Sequence, residues 1–198
     1  MFDASSKNYD GISLNSNLLQ GPKTQPALQI LLTHLRMNPI VLIADIARMY
    51  YAIKYLGDCD EEKTKMKDIR DLYRFLWHED PKLTPSVLKF TSVLMGARDS
   101  PFVANATIQH HLDKIILESK DPDEIAAAKL VKTRIYIDDV ILSLRDISSA
   151  IKIRKIISSI FEKAGMKMTK WASSNPEVLK STPLEQRAPM EDMSFSIE

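Results

Sequence analysis

Arg134-Ile135-Tyr136-Ile137-Asp138-Asp139-Val140-Ile141-Leu142-Ser143-Leu144 is the stretch on which the reading of this chain turns. Apolar and β-branched residues run up to two adjacent carboxylates and continue past them. The pattern predicts strand, tight turn, strand, with both acids at the tip. A bare carboxylate beside strands this apolar costs on the order of several kcal/mol unless it is paired, protonated or bound to a cation. Two readings follow: a solvated hairpin turn, or a divalent-metal site built from hard oxygen ligands.

Upstream, Ile40-Val41-Leu42-Ile43-Ala44-Asp45 is a continuous apolar run of strand length that ends in one acid. Asp45 stands where a buried strand emerges, either to cap the following turn or to serve a site. If this strand neighbours the hairpin, Asp45, Asp138 and Asp139 converge at one sheet edge. Three acids without matching bases call for cations. Two divalent ions about 3.5–4 Å apart would satisfy them and suit in-line phosphoryl transfer.

Composition bounds the alternatives. The 198 residues include 44% hydrophobic ones, enough for a real core, and the net charge is +1 from 27 basic and 26 acidic residues. That balance counts against autonomous tight nucleic-acid binding. The single cysteine, Cys59, excludes an internal disulfide and a cysteine-rich zinc site, so an intracellular setting is expected, cytoplasmic or nuclear. No apolar run approaches the roughly 20 residues of a membrane span, and the N-terminus lacks the layout of a signal peptide. The five glycines form no phosphate-binding loop.

The remaining segments read as follows. Residues 1–22 are polar and turn-rich. Pro26 to Met37 predicts an amphipathic helix. Residues 57–71 are a charged, solvated loop or exposed helix. Leu72–Trp77 and Val87–Val93 read as paired strands, and His78 between them lacks a second His at ligand spacing. Ser100 is the expected N-cap and Pro101 the first residue of a helix to about Glu118. Phe102, Ala106, Gln109, Leu112 and Ile116 are expected along one face of it, with Asn105 and Gln109 flanking a groove. His110 and His111 are expected at the surface. Asp121-Pro122 opens a helix through Lys132. A further helix, capped by Asp146 or Ser148, buries Ile151, Ile156, Ile157, Ile160 and Phe161 and stops at Gly165. Met166–Trp171 is a last strand, and residues 175–198 read as a linker.

These segments, in order, resemble the palm of reverse transcriptases, most closely those of BEL/Pao-type retrotransposons. Asp45-Ile46-Ala47-Arg48-Met49-Tyr50-Tyr51 resembles the first palm motif. Gly96-Ala97-Arg98-Asp99-Ser100-Pro101-Phe102-Val103-Ala104-Asn105 resembles the loop and helix that support template and incoming nucleotide. Tyr136-Ile137-Asp138-Asp139 resembles the Tyr-x-Asp-Asp box. Gly165 to Trp171 with Ser173-Ser174-Asn175, Phe2-Asp3-Ala4-Ser5-Ser6-Lys7, and Arg74-Phe75-Leu76-Trp77 are similar to the same type. Met95 departs from the aromatic or polar residue usual before that glycine.

The resemblance implies an α+β fold: a small antiparallel palm sheet of three to four strands with two or three helices on one face. It implies partial fingers and a leading helix over 1–39, a palm over 40–174, and a truncated connection to a thumb over 175–198. Asp45 and Asp138 would ligate two Mg2+ ions (or Mn2+), with Asp139 as a ligand or support. Lys170 would protonate departing pyrophosphate. Tyr50 would screen the 2′ position of the nucleotide, and Tyr136 would pack near the primer end. Gly96, Ser100, Pro101 and Asn105 would line the substrate. The implied partners are an RNA or DNA template-primer, deoxynucleoside triphosphates and the rest of a retrotransposon polyprotein, with no membrane. The implied activity is RNA-directed DNA synthesis. Family members carry basic finger residues just upstream of the segment matching Phe2-Asp3, and this chain has none there, so on its own it is expected to be weak or inactive. An inactive palm relic and a metal-dependent phosphohydrolase are the alternatives.

Overall fold

The computed structural model describes residues 3–55 and 68–189. Phe2, Cys59, most of the charged 57–71 segment and the tail from Met190 lie outside the described residues. In chain order the elements are α1 (Leu14–Asn17), α2 (Leu28–Leu35), β1 (Ile40–Ala47), α3 (Met49–Ala52), β2 (Arg74–Trp77) and β3 (Ser86–Lys89). They continue with α4 (Ser100–Glu118), α5 (Pro122–Lys132), β4 (Ile135–Tyr136), β5 (Asp139–Leu144), α6 (Ile147–Lys163) and β6 (Lys167–Ser173). The chain is an α+β protein with a small antiparallel sheet of strand order β4-β5-β1-β6 and a separate β2-β3 hairpin. Among the described residues, no helix is long and apolar enough to cross a membrane.

Two compact units interleave along the chain. One comprises Met1–Pro22 and Tyr50–Ala104, the other Lys23–Met49 and Asn105–Glu198. This division cuts across the contiguous segments 1–39, 40–174 and 175–198. The first unit holds the β2-β3 hairpin and a small core of Ala4, Tyr73, Leu94 and Ala97, lined by Tyr55, Ile69 and Phe90. Tyr55 stacks on Tyr73 with ring centroids 5.3 Å apart. Residues 69–73 form a 3-10 turn rather than the start of the expected strand, because Asp68 accepts from the Arg70 amide and caps the turn. The partner strand ends at Lys89, short of the expected Val93.

The second unit holds the four-stranded sheet. Leu42, Ala44 and Ile46 alternate into the core from β1, as do Val140 and Leu142 from β5. That period of two defines one buried face. Helix α6 packs on it through Ala150, Arg154, Ile157, Ile160 and Phe161. The buried stripe is therefore shifted from the expected one: Ile151 and Ile156 are only half-buried, and Arg154 takes a core position over the Trp171 ring. Asp146 caps α6 through the Ser149 amide, and Gly165 ends it at a φ of 68°, a value that favours glycine. The expected linker after Asn175 instead packs back. Val178 and Leu179 are buried, and Ala188 donates to the Trp171 carbonyl at 3.0 Å.

A bulge in β6 decides which of its side chains are buried. Asp45 pairs with Thr169 and Ile43 with Ala172, so Lys170 and Trp171 together oppose Ala44. The extra residue flips the phase of the strand. Met168 is buried before it and Trp171 after it, while Lys170 turns outward. Lys170 takes up the change with a φ of 52°, a left-handed conformation that costs a non-glycine residue about 1–2 kcal/mol. Lys170→Gly is accordingly expected to be more stable than Lys170→Ala by about 1 kcal/mol in denaturant melts. Both variants lack the side chain, so the difference isolates the backbone.

Candidate metal centre

The hairpin turn sits one residue earlier than the sequence predicts. Tyr136 pairs with Asp139, leaving Ile137 and Asp138 as the two turn residues. Asp139 is thus not at the tip but opens β5. Ile137 has a φ of 58°, unusual for a β-branched residue. Two-residue hairpin turns require a positive φ to match strand twist, and Ile137 accepts that strain of about 1–3 kcal/mol. The Asp138 carbonyl accepts from the Ile46 amide at 2.9 Å, which ties the turn to β1.

Asp45 faces Asp139 across the β1-β5 ladder. Asp45, Asp138 and Asp139 each offer a carboxylate oxygen, all within 4.8 Å of one another. Two charges at such a separation repel by on the order of 3 kcal/mol at an effective dielectric of about 20. Burial, then the charges of Asp138 and Asp45, push the Asp139 carboxyl above its ordinary value. Lys170 supplies one positive charge against three negative ones: its Nζ lies 2.7 Å from Asp45 Oδ2, with the lysine side chain 64% exposed and the aspartate 16%. The hydrogen bond to Asp45 holds the ammonium above its usual range. Thr169 Oγ1 donates to the Asp45 carbonyl at 3.4 Å. The sequence offers no sign of the bulge that aims Lys170, since no glycine marks it. Three hard oxygen donors with a net negative surplus could hold a divalent cation.

The structure thus brings Asp45, Asp138, Asp139 and Lys170 together, with the Tyr136 backbone paired to Asp139. The other singled-out residues are placed as follows. Tyr50 is half-buried in α3. Gly96 has a φ of 98° and its carbonyl accepts from Asn15 at 3.0 Å. Ser100 does not cap α4. It is the first helical residue, its hydroxyl is buried without a partner among the described residues, and the Asp99 carbonyl accepts from the Val103 amide. Pro101 is exposed at the helix start. Asn105 does not flank a groove: it is buried, and neither side-chain amide atom has a partner among the described residues. It shares the buried stripe of α4 with Ala104, Ile108 and Leu112; of the face expected from Phe102 to Ile116, Leu112 is buried and Phe102, Ala106, Gln109 and Ile116 are half-buried. His111 is half-buried and its Nε2 lies 2.7 Å from the Ile160 carbonyl, whereas His110 is exposed as expected.

No family model matches this chain, and no curated protein matches it either.

The raised Asp139 value carries a sign that can be tested. A folded-state carboxyl that holds its proton more tightly than the unfolded chain loses stability as pH rises from the ordinary value of 3.8 through the raised one. Asp139→Asn should therefore raise the melting temperature at pH 7.5, by about 2–4 °C per kcal/mol of repulsion relieved. The gain should vanish below about pH 3.5, where both states are protonated. Asp138→Asn should likewise be neutral or stabilising without metal. Magnesium should raise the melting temperature of the wild type and not of either variant.

Proposed function

We propose that this chain is a reverse-transcriptase palm, of the BEL/Pao retrotransposon type, that performs two-metal nucleotidyl transfer. The observation that carries this reading is the convergence of Asp45 with Asp138 and Asp139 at the turn end of one antiparallel sheet. The ordered resemblance of the flanking segments to the palm motifs supports it. In this reading Asp45 and Asp138 hold two magnesium ions, and Asp139 completes the cluster as a ligand or by shaping its field. Bound ions would supply the positive charge that makes a primer hydroxyl nucleophilic and eases the departure of pyrophosphate.

The protein groups do the rest. The cross-strand pairing of β1 and β5 fixes the spacing of the carboxylates before substrate arrives, which lowers the cost of positioning. Lys170 carries a proton at neutral pH as any ordinary lysine does, Asp45 stabilises that charged form further, and its exposed side chain can deliver the proton to a leaving phosphate oxygen. By its resemblance to the first palm motif, Tyr50 would supply the bulk that rejects a ribose 2′-hydroxyl. Substrates are an RNA or DNA template-primer and deoxynucleoside triphosphates, and the chain works within a longer polyprotein.

Single-nucleotide addition to a labelled primer-template tests the proposal. Magnesium- or manganese-dependent addition is expected, slow for the isolated chain, and Asp138→Ala should bring it below detection. Tyr50→Ala should raise ribonucleotide incorporation relative to deoxyribonucleotide. Addition that persists in Asp138→Ala, or a wild-type chain that shows no divalent-ion binding by calorimetry, would overturn it.

A further inference from the structure

A second charged site lies in the same unit as the acidic cluster, at the other end of the β4-β5 hairpin. Residues 23–34 and the C-terminal end of α5 enclose an open cleft of about 520 Å³. Lys23, His34, Lys132 and Arg134 line it, together with Gln109 and Thr133, and no carboxylate does. Lys132 is already paired with Asp113. Lys23 and Arg134 make no ion pair among the described residues. The Arg134 Nη1 donates to the carbonyl and hydroxyl of Thr133, both at 3.1 Å. Its Nε and Nη2 have no protein acceptor among the described residues. That edge of the guanidinium is the fork that pairs with two oxygens of one oxyanion. Arg134 is also half-buried, and burial holds its guanidinium below the usual range. A cation that gives up water without gaining an acid is poised for an anion from outside.

We infer that this cleft binds a phosphoryl oxyanion, with Arg134 as its bidentate donor and Lys23 as the second cation. A phosphate offers several acceptor oxygens and more than one negative charge, which suits a cleft with several donors better than a single carboxylate does. The group could be free or carried in a nucleic-acid strand, and the two sources are separable. This site stands apart from the acidic cluster and needs no divalent ion.

The test is binding of a fluorescein-labelled single-stranded oligonucleotide of twelve thymidylates to the full chain, in EDTA, between 0.05 and 0.3 M KCl. The Lys23→Gln/Arg134→Gln double variant should bind about tenfold more weakly at 0.1 M salt. Its slope of log affinity against log salt should be shallower by about 1.4, because each lost phosphate contact removes about 0.7. Lys152→Gln/Lys180→Gln removes two charges elsewhere and should leave both quantities close to wild type. Arg134→Lys keeps the charge and should retain the slope, and Lys23→Gln changes an exposed side chain, so a loss there is not a folding defect. Pyrophosphate that displaces the oligonucleotide from wild type shows that the free oxyanion suffices. Failure to displace assigns the site to the phosphodiester strand. A double variant that binds like wild type, or matches the Lys152→Gln/Lys180→Gln control, overturns the inference, as does a wild-type chain that binds neither probe.

Discussion

The register of β1 against β5 is the constraint on which the rest depends. Leu42, Ala44 and Ile46 must share a face with Val140 and Leu142. A slip of one residue would turn one strand's set to the opposite face while the other's stayed in the core. Each large apolar side chain gains about 1.5–3 kcal/mol by burial. The register that buries them also sets Asp45 opposite Asp139 on the other face. The repulsion between two such carboxylates is on the order of 3 kcal/mol, less than the burial of Leu42, Ile46, Val140 and Leu142 supplies together. The acids are therefore held close by the burial of residues on the opposite face of the same strands. This is how a folded chain keeps like charges together without an ion: the force that aligns them is apolar and lies on the opposite side of the sheet.

The edge strand β6 offsets part of that repulsion by a local irregularity. Without the bulge at Lys170 and Trp171, strict alternation from Met168 would send Lys170 into the core and Trp171 outward. With it, Trp171 is fully buried under α6 and Lys170 reaches Asp45 at 2.7 Å. One backbone distortion thus serves packing and electrostatics at once. The strain at Lys170 and at Ile137 falls on the two segments that border the acidic cluster. Unfavourable backbone conformations of this kind persist where the surrounding structure over-determines them.

Much of this was legible in the sequence, for identifiable reasons. The apolar runs ending at Asp45 and flanking Asp138 read as strands because length and β-branched content agree. The helix from Asp121-Pro122 to Lys132 and the one capped by Asp146 and stopped at Gly165 read correctly because their caps are local signals. What failed was non-local. The Tyr136-Ile137-Asp138-Asp139 turn is one residue off because an isoleucine adopts the conformation usually given to glycine or asparagine. Ser100 looks like an N-cap, yet its hydroxyl is buried and Asp99 begins the helix. The residues after Asn175 look like a linker because prolines and acids dominate, but Val178 and Leu179 are enough to dock them. Arg154 looks like a solvated helix residue, and only the fold shows it over Trp171 with its Nη2 bonded to Ser181 Oγ at 3.0 Å.

The net charge of +1 conceals a separation of charge that sequence composition averages away. The β4-β5 hairpin carries carboxylates at its turn and, within at most about 13 Å of extended chain, a guanidinium at its base. The Ile141 amide donates to the Arg134 carbonyl at 2.9 Å, so the same ladder that positions Asp139 also holds the backbone of Arg134. A rigid element with an anionic tip and a cationic root has a directional field even when its total charge is near zero. Such a field gives a nearby charged group a preferred orientation as well as a net attraction. Composition speaks to the strength of long-range attraction; the hairpin speaks to orientation, and the two need not agree.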